Sequence, residues 1–164
     1  YKSDFLTNNL LLFRKNYKNK KKFFSFKNDF KIKLKDIDHK NFVGCSNTIV
    51  KTKALKKVLN HINTSLVAFD WCMAKLLLLK KFKGFYVTNC LTLYRQYEFN
   101  NSSILNKSLK QKIFDIKEKI NHYKYFLPYK ENYKLQISQL NKIISNTKSL
   151  KSLKKGSLWW DYRI

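Results

Sequence analysis

The sequence predicts an α/β fold over residues 1–103 followed by an α-helical hairpin over 104–164, on three observations. Short apolar runs rich in β-branched and aromatic residues alternate with helical patterns through the first two thirds of the chain. After residue 104 the apolar positions step by threes and fours, and Pro128 interrupts them once. Aromatic residues make up 16% of the chain against three Gly and one Pro, which is core-forming material rather than the composition of a disordered tract.

Taken in order, Tyr1–Phe5, Leu10–Phe13 and Phe23–Phe26 read as strands, with turns at Asn8-Asn9 and across the Lys-rich stretch 15–22. Gly44 precedes Cys45–Val50, a run that fits a buried strand. Thr52 is placed to cap a helix whose apolar face is Leu55, Val58, Leu59 and Ile62. Asn63-Thr64-Ser65 breaks the pattern. A second helix is expected from about Ala68 to Lys81, packing through Trp71, Leu76, Leu78 and Leu79, with Gly84 as its C-cap. Phe85–Tyr94 then reads as one or two strands. Leu109, Ile113, Ile116, Ile120 and Tyr123 form one helical stripe, and Tyr133, Ile137, Leu140 and Ile144 form the next, so the two helices fold back on each other. That hairpin either packs as a tail or forms a seam for self-association, and its basic amphipathic surface also suits an anionic membrane. The Trp159-Trp160-Asp161 end is apolar enough to be covered.

The formal charge of +25 is nearly all Lys, with Arg only at 14, 95 and 163, in a chain also rich in Asn, Ile, Phe and Tyr. AT-rich coding produces that set. Base and phosphate recognition in defined geometry favours the Arg fork, so no specific nucleic-acid partner is expected. Cys45, Cys72 and Cys90 lack a metal-ligand spacing, and His39, His61 and His122 form no pair at helical spacing, so no metal site is assigned to these residues. Leu76–Leu79, closed by Lys80 and Lys81, falls far short of the roughly 20 apolar residues that span a bilayer. The expected location is cytoplasmic, with peripheral contact at the inner membrane face as the alternative.

Three spaced elements resemble family 2 glycosyltransferases. Phe42-Val43-Gly44-Cys45-Ser46-Asn47 is similar to the family's Gly-Cys turn and strand. Phe69-Asp70-Trp71 looks like its acidic-Asp-Trp element at a helix start, with Phe69 where many relatives carry a second acid or a His. Leu93-Tyr94-Arg95-Gln96-Tyr97, with Asn100 behind it, resembles the Tyr-Arg-Gln-His-x-x-Asn element that closes the domain, with Tyr97 in place of the His. The resemblance covers about residues 1–103 and implies a partial GT-A-like mixed sheet with flanking helices. It also implies an inverting transfer from a nucleotide-diphosphate sugar to a glycan or lipid-linked acceptor, with Asp70 as general base. Gly44, Cys45 and Trp71 would then lie on the acceptor side, and Arg95, Gln96, Tyr97 and Asn100 would face the diphosphate. A divalent cation, Mg²⁺ or Mn²⁺, is implied too. Its ligands are expected in a preceding nucleotide-binding half, which would end in Asp-x-Asp. Asp36-Ile37-Asp38 falls too late in the order for that role and reads as a turn or cap. The chain, which opens on Tyr1, therefore reads as the acceptor-side piece of a longer enzyme, inactive alone.

Each assignment has a plainer counterpart. Asp70 is the only acid between Asp38 and Glu98, yet an aspartate at a helix N-terminus is stabilised by the dipole without any catalytic duty. Trp71 can stack on a sugar or anchor a helix in the core. Arg95 can hold a diphosphate or a structural carboxylate. Two rival classes also stand: a small basic nucleic-acid-binding protein, drawn from Lys interleaved with Tyr and Phe, and a helical interaction module centred on 104–164.

Overall fold

A computed structural model describes residues 2–14, 20–96 and 108–146. The chain divides into two compact units, Tyr1–Tyr97 and Glu98–Ile164. Among the described residues the first is mixed α/β and the second is helical.

In the first unit the long strand β1 (Phe5–Phe13) is central. β5 (Gly84–Arg95) lies parallel to it along its whole length, and β3 (Phe30–Ile32) pairs antiparallel with the outer edge of β5. Two short antiparallel strands share the other edge of β1: β2 (Lys21–Lys22) opposite Leu11-Leu12, and β4 (Thr48–Val50) opposite Phe5–Thr7. The parallel β1–β5 pair needs a long crossover, and the helices α1 (Thr52–Val58) and α2 (Phe69–Leu79) lie within it. The sheet is mixed, as expected.

Several local expectations are corrected. β1 runs straight through Asn8-Asn9, where a turn was expected. Both side chains are used across the sheet: Asn8 Oδ1 accepts from Thr92 Oγ1, and the buried Asn9 exchanges two hydrogen bonds with the backbone of Phe24. Those bonds override the turn preference of Asn. Phe23–Phe26 is irregular rather than a strand, because its backbone is held by the Asn9 side chain and by Leu10 O instead of a ladder. Cys45–Asn47 forms a 3-10 turn, and β4 after it is an edge strand with Ile49 76% exposed, not a buried one. Lys51, not Thr52, is the N-cap of α1, and the helix tightens into a 3-10 turn over Leu59–His61, leaving Leu59 exposed.

α2 has apolar residues all round and buries Trp71 through Leu77 without a gap, so it is a core helix rather than an amphipathic one. The left-handed residue after it is Lys81 (φ 64°), not Gly84. Gly84 instead opens β5 directly beneath the ring of Phe5, where any Cβ would collide with that ring. The close approach, not a cap, is what requires glycine there.

The second unit contains α3 (Leu109–Phe126) and α4 (Tyr133–Ser145), at the places the periodicity predicts. Ser108 and Gln111 form a reciprocal capping box at the start of α3. Ile116, Ile120, Tyr123 and Leu140 are buried, and the rings of Tyr123 and Tyr133 stack 4.7 Å apart across the link between the helices. Among the described residues no helix is long and apolar enough to cross a membrane.

Candidate functional site

Asp70 stands in the first turn of α2, where the unpaired backbone N–H groups favour an anion. Its Oδ1 accepts from the backbone N–H of Trp71 at 2.7 Å and from Asn41 Nδ2 at 3.0 Å. Its Oδ2 receives a long contact from the Cys45 N–H, at 3.4 Å. One oxygen is therefore oriented while the other keeps acceptor capacity beside the loop 41–47. Burial raises the Asp70 carboxyl above the usual aspartate value of 3.8. The hydrogen bonds from Trp71, Asn41 and Cys45 pull the other way without cancelling the rise.

The loop facing Asp70 is held by a chain of side-chain bonds reaching back to β1. Asn41 Oδ1 accepts from the Val43 N–H, so the same amide that orients Asp70 also shapes the turn. Asn47 Oδ1 accepts from the Gly44 N–H at 2.8 Å. The Asn47 amide nitrogen donates to Phe42 O, Asn8 O and Thr7 Oγ1, and the Thr7 hydroxyl in turn reaches the carbonyls of Phe42 and Asn47. A Cβ on Gly44 would lie 2.8 Å from Asn47 Oδ1, so a larger residue would push the loop off this web. The exposed Cys45 has a thiol pushed up by burial and then by the Asp70 charge. It is a weak nucleophile at neutral pH, and its backbone N–H is its contribution here.

The remaining predicted residues are distributed unevenly. Trp71 is fully buried, its indole N–H donating to Ile37 O, so of the two roles open to it the indole fills that of core anchor. Arg95 is paired in register with Phe13, six residues beyond Thr7 and thus about 20 Å along β1 from the strand position that Asn47 grips. No ion pair joins Arg95 to Asp70 among the described residues. Gln96 is buried and its N–H caps the strand on Phe13 O. Tyr97, Asn100 and the Trp159-Trp160-Asp161 end lie outside the described residues. The structure thus brings together Gly44, Cys45 and Asp70, and separates them from Arg95.

Sequence reasoning missed Asn41 and Asn47, because only the folded chain puts them beside Gly44 and Asp70. It also missed a buried ion pair. Lys75 is fully buried in α2, donates to Asp38 O at 2.9 Å, stands 3.8 Å from Asp38 Oδ1, and lies 4.4 Å from the centre of the Trp71 ring. A lysine inside the apolar run Cys72–Leu79 was the available signal, since a buried ammonium requires a partner. Asp36, by contrast, accepts from the Lys33 N–H as the expected local cap.

Among the described residues no group of three His, Cys, Asp or Glu side chains converges on one point. Asp70 stands alone as a carboxylate here among those residues and Asp38 is paired with Lys75, so these two residues do not make a divalent-cation site. No family model, curated protein or solved structure matches the chain.

Proposed function

We propose that the chain is the acceptor-side portion of an inverting glycosyltransferase with a GT-A-like sheet, in which Asp70 is the general base. The observation that carries the reading is the Asp70 carboxylate, oriented through one oxygen by Asn41 and the Trp71 N–H, with the other oxygen beside the Gly44–Cys45 turn. A sugar hydroxyl is a poor nucleophile until a carboxylate within hydrogen-bond reach accepts its proton. A carboxyl raised by partial burial holds that proton better than an ordinary aspartate, and the fixed Oδ1 keeps the lone pairs of Oδ2 aimed at the loop. The attack would invert the anomeric centre, because the base and the leaving nucleotide diphosphate stand on opposite faces of the sugar. The acceptor alcohol would lie against the Gly44–Cys45 turn, beside Asp70 Oδ2. Trp71 supports this arrangement from within the core by fixing the start of α2.

The test is sugar transfer from nucleotide-diphosphate sugars to glycan and lipid-linked acceptors, using the protein with its upstream coding sequence included. Asp70→Asn keeps the shape and the acceptor of the Asn41 bond but cannot take the proton. Turnover should fall about 10²- to 10⁴-fold while donor affinity is unchanged. Retained turnover in Asp70→Asn removes Asp70 from the base role, and a wild-type protein that transfers no sugar overturns the class.

A further inference from the structure

A concave site lies in the first unit, with none of the residues that surround Asp70 in its described lining. It is an open groove of about 660 Å³ whose lining includes Lys21, Lys22 and Lys27 together with Phe23, Phe24 and Phe26. Its size falls within the range of ordinary ligand sites. Among the described residues no carboxylate lines it. The three lysines are exposed, whereas the three rings are half-buried, so cations flank a partly accessible aromatic surface.

The rings are set in place before any ligand arrives. Phe26 packs edge-on against Tyr86 at 4.8 Å, Phe30 at 5.0 Å and Phe42 at 5.2 Å, which ties it to the core. Phe24 stacks on Phe26 at 5.9 Å, and Phe23 meets Phe24 edge-on at 4.5 Å. The backbone beneath them is held by Asn9, whose buried amide bonds both the carbonyl and the N–H of Phe24. The opposite wall is Thr88 and Asn89, within the three-residue bulge where the pairing of β5 with β1 jumps from Val87 to Leu91. Bulges re-aim residues out of a ladder and are frequent beside functional sites. Asp29 Oδ1 fixes that wall by accepting from both the N–H and the hydroxyl of Thr88.

Ring faces accept flat unpaired bases, and neighbouring ammonium groups accept phosphates. Lysine offers a point charge without the planar fork that reads a base edge, so the match is to a backbone rather than to a sequence. The rings would be useless to a duplex, whose bases already stack on one another. Ser25, Thr88 and Asn89 give the lining hydroxyl and amide acceptors as well, yet its three lysines favour an anionic chain over a neutral sugar. We infer that the groove binds single-stranded nucleic acid without sequence preference, bases on Phe23 and Phe24 and phosphates on Lys21, Lys22 and Lys27. This site is independent of Asp70 and of any sugar transfer.

The net charge of +25 gives every face of the chain some attraction for polyanions, so the experiment compares two triple variants of equal charge. Binding of a labelled oligothymidylate is followed by fluorescence anisotropy across a salt series. In one variant Lys21, Lys22 and Lys27 become Gln; in the other the exposed Lys53, Lys56 and Lys57 of α1 become Gln. The groove variant should flatten the slope of log affinity against log salt by about 2, three phosphate contacts at roughly 0.7 each, and the α1 variant should leave it nearly unchanged. Phe24→Leu keeps an apolar side chain but removes the ring face, and should weaken binding about 5- to 150-fold with the slope intact. Equal losses in the two triple variants overturn the proposal, as does a Phe24→Leu variant that binds like wild type. Equal affinity for a duplex of the same length, or equally strong binding of heparin, which carries charge but no bases, also overturns it.

Discussion

Between Asn41 and Asn47 the backbone is held by side chains, whereas between Ser108 and Ser145 it is held mainly by its own helical ladder. The loop draws on Asn41, Asn47, Thr7 and Asp70, with individual hydrogen bonds that span 40 residues of sequence between Thr7 and Asn47. The hairpin draws on a local stripe, a local capping box and one ring stack at the turn. Each amide in the loop serves two or more partners, so losing one removes several bonds at once. A helix loses one contact at a time. The first kind of construction fixes atoms to the accuracy a reacting group needs, and its stability rests on few residues.

That contrast can be broken most directly at Asn47. Asn47→Ala leaves Gly44 N–H, Phe42 O and Asn8 O without this partner in a buried setting, and should cost about 3 kcal/mol or more in urea unfolding. A cost below about 1 kcal/mol would mean water replaces the amide easily, and the loop would not be the rigid element described. The matching change in the hairpin is Ser108→Ala. It removes the side chain that accepts from the Gln111 N–H and should cost only about 1 kcal/mol by the same measurement. If the two costs are equal, the distinction between the regions fails.

The same distinction explains what could be read beforehand. α3 and α4 were legible because a 3.6-residue period is written locally, and Pro128 marked the gap between them. α2 was legible as an element, and its two ends differed by a residue or two because Lys81 supplied the left-handed turn expected of Gly84. β1 was split in two at Asn8-Asn9, since nothing in those letters reveals that Thr92 and Phe24 wait across the fold to bond them. For the site, the motifs name Gly44, Cys45 and Asp70, and in the fold the Cys45 N–H reaches Asp70 Oδ2. Arg95, expected on the diphosphate side, is carried by β5 to the Phe13 end of β1. The Lys75–Asp38 pair needed α2 to fold against the segment after β3, a contact across 37 positions that no local pattern encodes.

Burial of Asp70 also sets a direction with pH. Its carboxyl is raised in the folded chain, so the folded state holds the proton more tightly than the unfolded one. The stability this group contributes is complete below the unfolded aspartate value and is lost as pH rises through the folded one. Holding this carboxyl in its charged form therefore costs the fold some stability above the folded value.

Carbon-13 NMR titration of the Asp70 side-chain carboxyl in this chain, with Asp70→Asn to assign the resonance, tests the account at its centre. The account predicts a midpoint above the ordinary 3.8. A midpoint at or below that value would mean that the bonds from Asn41, Trp71 and Cys45 outweigh burial. Asp70 would then be a capped helix-end carboxylate with no special affinity for a proton.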